Sequence, residues 1–189
     1  MKYLALIFAL VLGSCARDSS PPVQQDNACS ILDQRSGWLR AMQKTEANWG
    51  APVHVQMAII WKESSFRARA RTRQVFFLGS IPTGRISSAF GFSQALDGTW
   101  GDYRDATGNR RAKRSNFGDA SDFIGWYMTN SNRRNNIAMD DAYNQYLAYH
   151  EGQGGFARGS YRQKDWLVGV AGQVRNQAAR YEDQLQYCT

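Results

Sequence analysis

Glu63 is the residue around which chemistry can be built. It closes an apolar run, Ala58, Ile59, Ile60 and Trp61. Ser64, Ser65 and Phe66 follow, and then Arg67, Arg69, Arg71 and Arg73. A carboxyl group set against an apolar wall loses hydration, which disfavours its charged form and raises its pKa. An acid that keeps its proton near neutral pH can protonate a leaving oxygen. The competing reading of this window is a solvated glutamate at a helix end, or one paired with Lys62 or Arg67.

The elements around Glu63 read as helices. Residues 29–50 place Ile31, Leu32, Trp38, Leu39 and Met42 at helix-like intervals and stop at Gly50. Pro52 suits the first turn of the next helix, whose apolar positions Val53, Met57, Ile60 and Trp61 keep the same period. Residues 120–129, 139–150 and 165–185 follow suit. Residues 74–91 differ: glycines, a proline and β-branched residues predict a small hairpin or an ordered loop. No internal repeat, low-complexity block or second linker breaks the chain after Cys29. The expectation is one mainly α domain with a short hairpin or loop insertion.

The bulk numbers bound the partners. The 189 residues suffice for one core, and 43% hydrophobic and 13% aromatic content place the chain among folded proteins. A net charge of +7 favours acidic partners: nucleic acid, an anionic membrane surface or an acidic cell-wall polymer. The N-terminus, MKYLALIFALVLGSC, narrows that choice. Its apolar stretch at residues 3–12 is too short to span a bilayer and reads as a secretory signal, which sets nucleic acid aside. LGSC resembles a bacterial lipobox, with Cys15 lipidated; ordinary cleavage after Ala16 is the alternative. The expected organisation is a signal peptide at residues 1–14, a lipidated Cys15 with a polar tether to residue 28, and a domain at 29–189. Ala16 in place of aspartate favours an outer-membrane anchor at the periplasmic face, and a monomer is expected.

With Cys15 carrying lipid, Cys29 and Cys188 remain as a pair in an oxidising compartment, able to staple the ends of the domain. Two cysteines and two scattered histidines show no metal-ligand spacing, so no metal and no cofactor is expected.

Two further windows complete a pattern. Residues 89–100, AFGFSQALDGTW, carry Gly91 and Gln94 as Gly-x-x-Gln; residues 147–156, LAYHEGQGGF, carry Ala148, Tyr149 and Gly152. With ESSF at residues 63–66, and in this order, they resemble the lytic transglycosylases of the soluble (SLT) type, family 1. The motifs there are Glu-Ser-x-Phe, Gly-x-x-Gln and Ala-Tyr-Asn-x-Gly. The resemblance covers residues 51–152. It implies a lysozyme-like helical fold and cleavage of the β-1,4 bond between N-acetylmuramic acid and N-acetylglucosamine, leaving a 1,6-anhydro end. By the same resemblance Glu63 is the sole catalytic carboxylate, acid first and then base toward the sugar's own 6-hydroxyl. Ser64 helps shape the site, Gln94 lines the cleft, and the Tyr149 hydroxyl lies near the carboxylate. Thr72 falls nine positions after Glu63, where the family often has a serine.

The chain also departs from that pattern. His150 stands in place of the asparagine, and Gln94 follows Glu63 by 31 positions (94 − 63), a long interval. The extra residues fall at 74–88, and we expect them to form one wall of the sugar cleft. Most glycoside hydrolases need two carboxyls. An intramolecular nucleophile removes that need, because a tethered hydroxyl supplies its own effective concentration. Asp97 is the residue that would instead suit a goose-type-like inverting muramidase, with carboxyls about 6.5–9.5 Å apart; its other reading is a cap in the Asp-Gly turn. A binding lipoprotein without turnover is the non-enzymatic alternative. Trp100, Tyr103, Trp126 and Tyr127 offer either sugar-stacking faces or core packing, the latter expected for at least half of them. The basic stretch at residues 109–117 reads as a solvated loop.

Overall fold

The computed structural model describes residues 20–188. The signal peptide expected at residues 1–14 and the lipid site expected at Cys15 lie outside the described residues. Seven α-helices form among those described: α1 (Ala28–Gln34), α2 (Trp38–Trp49), α3 (Val53–Ser64), α4 (Asp97–Thr107), α5 (Phe117–Asn135), α6 (Ala142–Ala157) and α7 (Asp165–Leu185). Between α3 and α4, β1 (Gln74–Phe77) and β2 (Ile81–Arg85) pair as an antiparallel hairpin with an irregularity between Val75 and Phe76. A single 3-10 turn, Ser160–Gln163, leads into α7.

The centre of the molecule is α3. Val55, Gln56, Met57, Ala58, Ile59 and Ile60 are all fully buried, so this helix shows no polar face at all over its middle. A helix apolar all round has to be surrounded, and α2, α5, α6 and α7 pack against it. The buried polar side chain in its middle is fully engaged. Gln56 donates to the carbonyls of Met42 (3.0 Å) and Ala51 (2.7 Å) and accepts from the Ser121 hydroxyl, so its burial carries little net cost. The seam between α2 and α5 is equally tight. A Cβ at Gly125 would stand 2.5 Å from Thr45 Cγ2 and 2.8 Å from Trp49 Cδ1.

Two expectations about the N-terminal third need correction. The continuous helix read over residues 29–49 is two helices, broken where Gly37 takes φ 91°, a left-handed conformation open to glycine. The apolar period runs through the break because Ile31 and Met42 are both buried. Pro52 lies just outside α3, flanking its start rather than within the first turn.

The ends of the domain are joined. Cys29 and Cys188 form a disulfide across 159 positions. The last part of the expected tether is bound to the domain rather than free. Ala28 N–H donates to Gln184 Oε1 at 2.7 Å, Val23 N–H to Gln34 Oε1 at 3.0 Å, and the Tyr181 hydroxyl to the carbonyl of Gln25. These bonds attach residues 23–28 to α1 and α7. Among the described residues the buried hydrophobic core runs from Ala28 to Tyr181.

Candidate active site

Glu63 sits in the last turn of α3, held by the packing of the most buried helix in the molecule. Its residue surface is partly open, while burial of the carboxyl pushes its pKa from 4.5 up to about 7. A hydrogen bond from the Tyr146 hydroxyl and the nearby Lys62 ammonium pull the other way without cancelling the loss of hydration. Lys62 itself points elsewhere and donates to Gln173 Oε1 at 2.8 Å. The helix-end reading of Glu63 as a solvated or ion-paired glutamate is therefore not what the structure shows.

The chain turns sharply immediately after the glutamate. Ser65 (φ 50°) and Phe66 (φ 56°) both adopt left-handed conformations, uncommon for residues with a side chain. The turn is held from within. Phe66 is 1% exposed and stacks on Trp38 at 5.8 Å; Trp38 stacks in turn on Phe117 at 3.8 Å, and Phe92 meets both rings edge-on. The phenylalanine of the ESSF window thus anchors the strained turn that presents the carboxylate. Ser64 is buried and donates to the Ile60 carbonyl at 3.1 Å, so it works inside the helix end rather than at an open surface.

Gly91 and Gln94 build the second side of the site. A Cβ at Gly91 (φ 79°) would stand 2.1 Å from the Arg114 carbonyl oxygen, so only glycine fits there. Gln94, itself at φ 49°, uses its amide nitrogen to hold the loop, donating to Ala70 O at 3.0 Å and Gly91 O at 2.8 Å. The residue between them matters equally: the Ser93 carbonyl accepts the Tyr149 hydroxyl at 2.6 Å.

Helix α6 supplies the third side. Tyr146 and Tyr149 lie three positions apart and so share a helix face. The Tyr146 hydroxyl bonds Glu63, and Tyr149 is close enough to feel its charge. Burial raises the pKa of both phenols, and the Glu63 carboxylate raises them further. Gly152 then kinks α6 at φ 74°, ψ 160°, a combination essentially confined to glycine. Next to the kink, Glu151 accepts from Lys164 Nζ (2.7 Å) and from the hydroxyl of Ser160, which holds its carboxyl down at about 2. His150 meets that same carboxylate at 3.2 Å and Trp166 edge-on at 5.1 Å, on the structural side of the helix end.

Among the residues expected in the site, the structure brings Tyr149 to Glu63 and sets Gln94 in the loop whose Ser93 carbonyl holds Tyr149. Thr72 is placed differently. Its hydroxyl donates to the Ser87 carbonyl at 2.9 Å and accepts the Ser87 N–H at 3.4 Å, closing the base of the hairpin. Asp97 opens α4 with a largely exposed side chain and pairs with Arg114 Nη2 at 2.6 Å. A groove of about 560 Å³ is lined by residues of α4, α5 and α6, among them Trp126, Tyr127, Arg133 and Gln153. One of its lining residues, Tyr127, packs against Tyr149 at 5.0 Å and donates to the Ala148 carbonyl. The aromatic residues divide evenly: Trp100 and Tyr103 are core, while Trp126 and Tyr127 line the groove. No residue of the hairpin lines this groove.

Two residues escaped the sequence reading. Tyr146 was legible from its spacing to Tyr149 on one helix face. Arg114 was hidden in the basic stretch read as a solvated loop. Its side chain donates to Ser88 O (3.0 Å) and Ala95 O (2.7 Å) and pairs with Asp97, clamping both ends of the Gly91–Gln94 turn.

A mainly helical domain that carries a single poorly hydrated glutamate at the end of its central helix, faced by two tyrosines, is the arrangement of a lysozyme-like glycan-cleaving protein. A family model described as Transglycosylase SLT domain matches residues 3–188, and the chain belongs to that family. Its members act on the glycan strands of peptidoglycan. No curated protein matches the sequence.

Proposed function

We propose that this chain is a peptidoglycan lytic transglycosylase that cleaves the β-1,4 bond between N-acetylmuramic acid and N-acetylglucosamine and leaves a 1,6-anhydro-muramic acid end. The observation that carries the reading is Glu63: a lone carboxyl whose burial lifts its pKa to about 7 while part of its surface stays open. Near neutral pH such a group exists in both forms, which suits an acid that must become a base within one cycle. The proton leaves Glu63 for the bridging oxygen as the bond to the anomeric carbon breaks. The resulting carboxylate then takes the proton of the muramic acid 6-hydroxyl as that oxygen closes onto the same carbon. Atoms balance without water, and Glu63 ends protonated as it began.

The tyrosines hold this geometry. Tyr146 stabilises the carboxylate by donating to it, and Tyr149 is fixed by Ser93 so that its ring borders the site. The groove lined by Tyr127 and Trp126 offers aromatic faces and polar groups to a sugar chain. Asp97, bound to Arg114 and mostly exposed, gives no support to a second carboxyl in the reaction. In this reading the chain is an envelope lipoprotein, anchored through Cys15 and acting as a monomer at the periplasmic face.

The test is mass analysis of fragments released from purified sacculi by residues 16–189, beside Glu63→Gln. Anhydro-muramic ends from the wild type and none from Glu63→Gln are expected. Reducing muramic acid ends would make the protein a hydrolase, and binding by both forms without release would make it a glycan-binding protein.

A further inference from the structure

The hairpin between α3 and α4 holds the largest group of exposed apolar side chains among the described residues. Leu78 is 80% exposed, Ile86 64%, Ile81 55% and Phe76 49%. Every residue of β2 is exposed, and the two strands pair with each other in a ribbon. At the tip, Leu78 takes φ 49° and Gly79 φ 75°, so a tight turn thrusts a leucine outward where a polar turn residue is the usual choice. A solvated hairpin has no use for such side chains.

The charge around it is one-sided. From residue 64 to residue 96 the chain contains Arg67, Arg69, Arg71, Arg73 and Arg85 and not one aspartate or glutamate. All five arginines are exposed. Arg85 reaches back to the Thr72 carbonyl at 2.6 Å and Arg71 lies over the Phe90 ring at 4.3 Å, so part of this charge is fixed at the hairpin's base. The place of Pro21 adds a third observation. Pro21 lines one surface cleft together with Arg67, Arg69 and Arg71. Pro21 is thus on the same basic side as the hairpin's base.

We propose that the hairpin is a membrane-contact finger: Phe76, Leu78, Ile81 and Ile86 enter the headgroup region of an anionic bilayer while the flanking arginines meet the lipid phosphates. An apolar hairpin with cationic side chains at its base is a composition that partitions into the interface of a bilayer without crossing it. Among the described residues no helix is long and apolar enough to cross a membrane, and the finger needs none. The contact holds the domain in one orientation at the surface and leaves the groove between α4, α5 and α6, to which the hairpin contributes nothing, free for another polymer.

The experiment is vesicle co-sedimentation of residues 16–189, which lack the apolar leader and Cys15 and keep the whole core and its disulfide. Vesicles of phosphatidylcholine alone are compared with phosphatidylglycerol–phosphatidylcholine mixtures. Binding to the anionic vesicles is expected, weakening as salt is added. Leu78→Asp with Ile81→Asp should lower it roughly tenfold or more, with the melting temperature unchanged because both sites are exposed. Arg69→Gln with Arg73→Gln should lower it by roughly fivefold per charge removed. Fragment release from sacculi should stay at the wild-type rate in both variants. Absence of vesicle binding, or binding that the aspartates leave unchanged, overturns the proposal. So does a loss of sacculus digestion with vesicle binding intact, which would assign the hairpin to the glycan. Vesicle binding does not depend on Glu63, so that arm tests the proposal even where the catalytic reading fails.

Discussion

The poorly hydrated carboxyl of Glu63 should be readable in stability as well as in rate. Its pKa in the folded chain is about 7 against 4.5 for an ordinary glutamate. The folded state thus holds this proton more tightly than the unfolded state does. Below pH 4.5 the group is protonated in both states and contributes no penalty. Between 4.5 and 7 the unfolded chain loses the proton first, and folding stability falls by about 1.4 kcal/mol per pH unit. Above 7 the penalty is complete, at about 3 kcal/mol for this pair of values. Glu63→Gln keeps the shape and removes the charge. It should therefore match the wild type near pH 4 and exceed it by about 3 kcal/mol at pH 8. In a domain of this size that is roughly 6–12 °C in melting temperature. Thermal or urea unfolding of residues 16–189, wild type and variant side by side from pH 4 to 8.5, isolates the group because all other titrations cancel in the difference. A difference that stays flat with pH would mean that Glu63 titrates as an ordinary surface glutamate, and the acid–base account would go with it.

Tyr146→Phe removes the hydrogen bond that stabilises the carboxylate, so the Glu63 pKa rises further and the alkaline limb of the pH–rate profile on sacculi moves up from about 7; a downward move would refute the assignment of Tyr146 as donor. Gly91→Ala and Gly152→Ala separate crowding from backbone strain. The first places a methyl 2.1 Å from a carbonyl oxygen and should cost about 2–4 kcal/mol; the second meets nothing within 4 Å and should cost only the conformational part, about 1–3 kcal/mol, by urea unfolding. Reduction of Cys29–Cys188, which closes a loop across 159 positions, should lower stability by about 5 kcal/mol on the chain-entropy model, seen as a drop in midpoint denaturant with and without reductant.

The parts of this fold that sequence made visible are those governed by a local period. The run from Val53 to Ile60 announces a buried helix because its burial is complete, and α7 was readable from end to end. The break at Gly37 was not, since Ile31 and Met42 reach one core from two helices and the period across them looks continuous. In the site, Glu63 and Tyr149 were legible by type and order. Ser64, Gln94 and Thr72 were legible as positions only. A hydroxyl or an amide does not reveal whether its partner is a ligand or a nearby carbonyl, and in all three the partners shown are backbone carbonyls. Arg114 was illegible for the opposite reason. Charge in a polar stretch predicts solvent, and only the tertiary approach of residues 88–97 gives that guanidinium three acceptors.

Those carbonyl bonds explain how a single acid can be held ready. Left-handed backbone at Ser65, Phe66 and Gln94 costs energy at three positions around Glu63, and the buried carboxyl costs more as soon as it ionises. No one contact offsets this. The Trp38–Phe66–Phe92–Phe117 cluster fixes the first turn by packing, while Arg114 and the Gln94 amide fix the second by hydrogen bonds to backbone. Tyr149 ties α6 to that second turn through the Ser93 carbonyl. The glutamate is thereby placed by three elements that are each anchored away from it. The proposed reaction, with one protein carboxyl, demands this: the same group would give and take a proton without moving, so the scaffold rather than a partner acid has to keep it in place.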